Sequence, residues 1–111
     1  GKYQEALDEL KKFDAKDKMV APSIVRLMGD CMVELDKLDE AVTYFEKAAS
    51  LADNDVVSPS CLQKAARVYE VQKKYDNAIA AYEKIVEKYY TSSEVDQAEA
   101  DIVRVKALAG K

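Results

Sequence analysis

Lys37-Leu38-Asp39-Glu40-Ala41-Val42 returns 37 residues later as Lys74-Tyr75-Asp76-Asn77-Ala78-Ile79. At the same offset, Val20-Ala21-Pro22-Ser23 returns as Val57-Ser58-Pro59-Ser60. A third, partial copy opens the chain: Gly1-Lys2-Tyr3-Gln4-Glu5-Ala6-Leu7 lies 35 residues before Asp36-Lys37-Leu38-Asp39-Glu40-Ala41-Val42. Self-similarity with a period in the mid-thirties is the mark of a helical repeat array, in which each unit buries its apolar face only by stacking on a neighbour. Such an array offers a surface to other proteins rather than a reaction vessel.

Composition agrees with that reading. Three Gly and two Pro in 111 residues, with abundant Ala, Leu, Glu, Lys and Asp, describe a mostly helical chain of one-domain size. The net charge is −4, with 17 basic residues interspersed among 21 acidic ones. No basic stripe suited to phosphates is visible, which argues against nucleic acid as a partner. No apolar run reaches the roughly 20 residues that span a bilayer. The chain reads as a piece of a longer array, so a targeting or anchoring segment could lie upstream. The compartment stays open between cytoplasmic and, with such an anchor, envelope-associated.

Apolar periodicity predicts six helices and no strand. The first runs from about Lys2 to Asp14 on Tyr3, Ala6, Leu7, Leu10 and Phe13, with a polar loop over 14–19. Pro22 opens the second, since its missing N–H costs nothing in a first turn. That helix carries Ile24, Val25, Met28, Gly29, Met32 and Leu35, and Asp36-Lys37 makes a tight turn. The third carries Ala41, Val42, Phe45, Ala48, Ala49 and Leu51. Ser58 then reads as the N-cap of a fourth helix with Pro59 in its first turn. The fourth carries Leu62, Ala65, Ala66 and Tyr69; the fifth carries Tyr75, Ala78, Ile79, Tyr82, Ile85 and Tyr89. Thr91-Ser92-Ser93, followed by Glu94 and Asp96, predicts a cap and acidic first turn for a sixth helix that Gly110 ends. Cys31 and Cys61 fall about seven residues apart in height on parallel helices, or roughly 10 Å at 1.5 Å per residue. That separation exceeds disulfide reach and predicts two free thiols.

On these residues the chain resembles the tetratricopeptide repeat (TPR) family, over about 90 residues. The family pattern has a small residue in the first helix of each repeat, an aromatic three residues later, and A-x3-F in the second helix. Gly29, Ala41, Phe45 and Ala48 match it in one repeat; Ala66, Tyr69, Ala78 and Tyr82 match it in the next. The chain departs from the pattern at Met32, in place of an aromatic, and at Asp36 and Lys73, in place of the turn glycine. The closing proline is replaced by Asp53 and Tyr90. The run Glu87-Lys88-Tyr89-Tyr90-Thr91-Ser92 resembles repeat ends of bacterial envelope-associated members.

The resemblance implies an all-α fold of antiparallel helix-turn-helix repeats in a right-handed superhelix. The expected organisation is residues 1–18 as the second helix of a truncated repeat, repeats at 19–55 and 56–91, and a capping helix at 92–111. Glu99 falls where a small close-packing residue is needed for a further helix, hence the cap, which arrays require over their last apolar face.

The absence of histidine removes His-based acid–base catalysis, Ser-His-Asp triads and His metal sites. Clustered carboxylates such as Asp36/Asp39/Glu40 and Asp53/Asp55 read as solvated helix-start acids, and Asp53-Asn54-Asp55 followed by two valines is too sparse for calcium. The expectation is therefore no enzyme, no metal and no cofactor. By the family resemblance, first helices line a concave groove for a peptide or partner helix. Ser23, Arg26, Asp30, Val33 and Glu34 would face it from one repeat; Ser60, Gln63, Lys64, Arg67 and Glu70 from the next. Arg26 and Arg67 would serve as carboxylate forks; the plainer alternative is ordinary solvated or internally paired charge. Asp30 and Leu27 stand where a chaperone-tail clamp has asparagines, which disfavours that ligand. The implied function is a scaffold or adaptor, with a structural spacer or a module self-associating through the exposed first helix as the alternative.

Overall fold

A computed structural model describes residues 1–16 and 21–110, with side chains described outside 13–16. Six helices follow in order: α1 (Lys2–Lys16), α2 (Pro22–Glu34), α3 (Leu38–Ala52), α4 (Ser58–Val71), α5 (Tyr75–Lys88) and α6 (Val95–Leu108). Each packs against the next in sequence. Among the described residues there is no strand. Pro22 and Pro59 both lie in the first turn of their helices, as their lack of a donor allows. The first helix runs through Lys16 rather than ending at Asp14, because Ala15 and Lys16 are strong helix formers and nothing there breaks the ladder. The remainder of the expected loop, residues 17–19, and the Phe13 side chain lie outside the described residues.

The two intra-repeat turns are copies in three dimensions as well as in sequence. Asp36 has φ 59° and Lys73 has φ 60°, both left-handed. The Lys37 N–H donates to the Met32 carbonyl at 2.8 Å, and the Lys74 N–H donates to the Tyr69 carbonyl at 2.8 Å. The inner bonds, Asp36 N–H to Val33 O and Lys73 N–H to Glu70 O, are 3.0 and 2.9 Å. This double closure satisfies the last carbonyls of α2 and α4 and reverses the chain within two residues. Loss of the usual glycine leaves the geometry intact and charges it to backbone strain. Lys73→Gly is therefore expected to raise stability by about 0.5–1 kcal/mol. A denaturant midpoint unchanged or lowered in that variant would show that Lys73 is not held left-handed.

The connection between α3 and α4 corrects the sequence reading. Ser58 is not the cap. The Asn54 side-chain Oδ1 accepts the N–H groups of Val56 and Val57 at 2.9 and 2.8 Å, starting a turn that leads into α4 four residues later. Ser58 is instead the first helical residue, fully buried, and its hydroxyl donates to the Ala49 carbonyl at 2.7 Å. The same oxygen accepts the Asn54 N–H at 3.1 Å. An Asx turn won over a serine cap because Asn54 reaches two donors at once. Before α6 the pattern is related: Ser92 Oγ accepts the Glu94 N–H at 3.1 Å, but the helix begins only at Val95, with Asp96 in its first turn.

The apolar stripes meet in two adjoining clusters. Leu7, Met28, Met32, Ala41, Val42, Phe45, Ala65 and Val68 pack around α1–α4. Leu62, Ala66, Ala78, Ile79, Tyr82, Ile85, Ala98 and Val105 pack around α4–α6. Tyr44 and Tyr69 touch both, so the core runs through the stack. The small residues sit where helices cross: Ala41, Ala66 and Ala78 are wholly buried, and a methyl group placed on Gly29 would lie 2.6 Å from Phe45 Cε1. Phe45 and Tyr82, 37 residues apart, are 2% and 0% exposed and fill equivalent places. Burying each removes roughly 150–250 Å² from water. On α1, Leu7 is buried while Tyr3 and Ala6 remain exposed.

Cys31 and Cys61 are both buried and unpaired, as expected from the sequence. Burial pushes both thiols above the ordinary range, with Asp30 adding to the effect at Cys31. Neither is poised as a thiolate nucleophile.

Candidate functional site

A concavity lies between α2 and α4. It is a cleft of about 330 Å³ lined by Asp30, Val33 and Glu34 from α2, Phe45 from α3, and Lys64, Arg67 and Val68 from α4. Helical spacing explains the lining: positions 30, 33 and 34 form one face of α2, and 64, 67 and 68 form the matching face of α4. Phe45 can supply the floor because Gly29, having no side chain, lets its ring approach the α2 backbone closely.

Charge crosses this cleft in an ordered way. Lys64 Nζ bonds Asp30 Oδ1 at 2.8 Å, and the same ammonium stands 5.6 Å from the centre of the Phe45 ring. Both partners of that pair are more than a third exposed, so it contributes no more than about 1 kcal/mol. Glu34 and Arg67 are exposed on opposite walls. Neither forms a hydrogen bond or ion pair among the described residues.

Five of the ten expected groove residues therefore line one cleft: Asp30, Val33, Glu34, Lys64 and Arg67. The other five do not. Ser23 is exposed near the start of α2, and Gln63 is half-buried. Ser60 turns its hydroxyl onto the Val57 carbonyl at 2.8 Å. Arg26 is half-buried, with its Nε enclosed and unpartnered, so it is a poor fork for an incoming carboxylate. Glu70 is committed inside the protein. Its two oxygens take Arg104 Nη1 and Nη2 at 2.7 and 2.9 Å, and Tyr82 donates its hydroxyl to Oε2 at 2.6 Å. Arg104 also contacts Asp101 at 3.2 Å, so one guanidinium ties α4 to α6.

The Arg104 guanidinium, helped by the Tyr82 hydroxyl and against the opposing effect of burial, holds the Glu70 carboxyl below the ordinary range. Burial, then Glu70, pushes the Tyr82 phenol well up, so it remains a donor at any working pH. A carboxyl whose pKa is lowered on folding stabilises fully above its unfolded value and loses that contribution as pH falls through the folded value. Stability is thus expected to decline as pH drops below about 4.3, and Glu70→Gln should flatten that decline while lowering stability at neutral pH. Identical acid limbs for both proteins in urea titrations would remove Glu70 from this role.

Sequence reasoning missed Arg104 and the cleft-floor role of Phe45. A signal for the first was present. Asp30–Lys64 and Glu70–Arg104 are 34 residues apart; Asp39–Lys74 and Asp53–Lys88 are 35 apart. In a stack, residues about one 37-residue period apart lie on equivalent helices, so an acid followed 34 or 35 residues later, within one helical turn of the full period, by a base predicts an inter-repeat pair.

This stacked geometry agrees with the family comparisons. Two tetratricopeptide repeat models match the chain, one over residues 27–55 and one over residues 60–92. The chain is a tetratricopeptide repeat protein. No curated protein matches it. Tetratricopeptide repeats generally mediate protein–protein interaction and are typically non-catalytic. Among the described residues of this TPR chain, no helix is long and apolar enough to cross a membrane, and no group of three or more cysteines, aspartates or glutamates is arranged to hold a metal ion.

Proposed function

We propose that this TPR chain is a non-catalytic adaptor that holds a peptide or partner helix in the cleft between α2 and α4. The observation that carries the reading is the cleft itself: an aromatic floor, valine walls and uncommitted charges gathered from two successive repeats. Concave, partly apolar sites with a few polar groups are where proteins bind ligands. In this reading α1 is the second helix of a repeat, residues 19–55 and 56–91 are the next two repeats, and α6 is a cap. The exposed Glu99 and the Arg104 tie to α4 support the cap.

A photo-crosslinking residue at Val33 tests this in the full-length protein, with one at Lys47 on exposed α3 surface as the comparison. Crosslinks to a partner at Val33 and not at Lys47 are expected. The reverse pattern would move the interaction off the cleft.

A second reading rests on Tyr3, 46% exposed on α1 beside Ala6. An uncovered apolar face of that kind can pair with a second copy, making the segment a self-associating spacer. Concentration-dependent mass in sedimentation equilibrium, abolished by Tyr3→Glu, is the result this reading requires; a monomer at all concentrations rules it out.

A further inference from the structure

We infer that the ligand of the α2–α4 cleft is a segment of mixed charge, with an acidic side chain for Arg67, a basic one for Glu34, and an apolar residue between them. This rests on the cleft being the binding site, and it names the chemistry of what binds. Four charged groups line the cleft, and they divide into two kinds. Asp30 and Lys64 satisfy each other at 2.8 Å. Glu34 and Arg67 are left over, one negative on the α2 wall and one positive on the α4 wall, both exposed and without a hydrogen bond or ion pair among the described residues. Arg67 does lie close enough to Glu70 to help keep that carboxylate ionised, but Glu70 is already engaged by Arg104 and Tyr82.

A purely acidic ligand would satisfy Arg67 and face repulsion from Glu34. A purely basic one would do the opposite. Only a ligand carrying both signs complements both walls, and like-charge juxtaposition is what excludes the others. Between the two charges the surface is apolar: Val33 is partly exposed, Val68 is 7% exposed, and the Phe45 ring lies beneath. One aliphatic side chain of the ligand fits there. The planar guanidinium of Arg67 suits a carboxylate in two-point contact.

The probes are capped synthetic peptides with a central leucine and two charged positions, in three classes: glutamate with lysine in either order, glutamate twice, and lysine twice. Each class is made at several short separations. Binding to the wild-type protein, Glu34→Lys and Arg67→Glu is followed by methyl shifts at Val33 and Val68. Both substituted residues are exposed, so the fold is retained. The mixed class is expected to bind wild type about ten-fold more tightly than either like-charged class. Glu34→Lys should turn the preference toward the glutamate pair, and Arg67→Glu toward the lysine pair. Cleft shifts with no dependence on peptide charge, or a wild-type preference for a like-charged class, would overturn the inference and leave the cleft as a binding site. Absence of cleft shifts with every class would overturn the binding site itself, and this inference with it.

Discussion

A Phe45→Ala variant is expected to lose about 3–5 kcal/mol of unfolding free energy, the largest effect of any single substitution considered. The ring is 2% exposed and belongs to the cluster shared by α1–α4. On one side it meets the α2 backbone at Gly29, and on another it carries the Lys64 ammonium at 5.6 Å. Truncation removes the transfer energy of the ring and leaves a cavity that the helices on both sides can close only in part. With domains of this size typically stable by 5–15 kcal/mol, the variant should be near the edge of folding. Its melting temperature should fall by about 12 °C or more. A fall of only a few degrees would mean that the ring is not the spacer between α2, α3 and α4.

Gly29→Val is expected to cost about 3 kcal/mol, at the top of the range for overpacking. The sign is informative, because replacing a mid-helix glycine ordinarily stabilises by up to about 1 kcal/mol for alanine. Here a single added carbon would sit 2.6 Å from Phe45 Cε1 and 2.7 Å from Cδ1, distances that no relaxed packing permits. The two substitutions should also couple. In a Gly29→Val/Phe45→Ala double variant the valine can occupy part of the vacated ring space, so the combined loss should fall short of the sum by at least about 1 kcal/mol. Strict additivity in urea denaturation would show that the two residues do not touch.

The fold was legible because the repeat encodes its own register. Gly29 and Ala66, Ala41 and Ala78, and Phe45 and Tyr82 fall at one spacing, and each pair occupies equivalent packing positions. Helix starts were readable where proline fixed them and less so where capping was ambiguous. Ser58 beside Pro59 looks like a cap in one dimension, whereas Asn54 reaches two backbone donors ahead of it. The turns at Asp36 and Lys73 were placed correctly without their glycine, because chain reversal there is imposed by the helices on either side.

The site was legible only in part, for a physical reason. Helical periodicity states which residues share a face, and so it found Asp30, Glu34, Lys64 and Arg67. It does not state which of those charges a neighbouring helix will claim. Glu70 was claimed by Arg104 from α6, and Arg26 was drawn half into the core. Pairing acids with bases 34 or 35 residues later, just short of the 37-residue period, recovers the first of these and needs nothing beyond the sequence. The role of Phe45 as cleft floor depends on three helices at once and has no signal in one dimension.

Recovery of partners from the native source by the full-length protein and by its Arg67→Glu variant, quantified by mass spectrometry, tests the proposed function most directly. Arg67 is exposed in the cleft and makes no hydrogen bond or ion pair among the described residues, so the variant should remain folded. A cleft that holds the ligand predicts a partner bound by the wild type and lost or sharply depleted in the variant. The same partners retained at the same level by both would contradict it and place the interaction on another face.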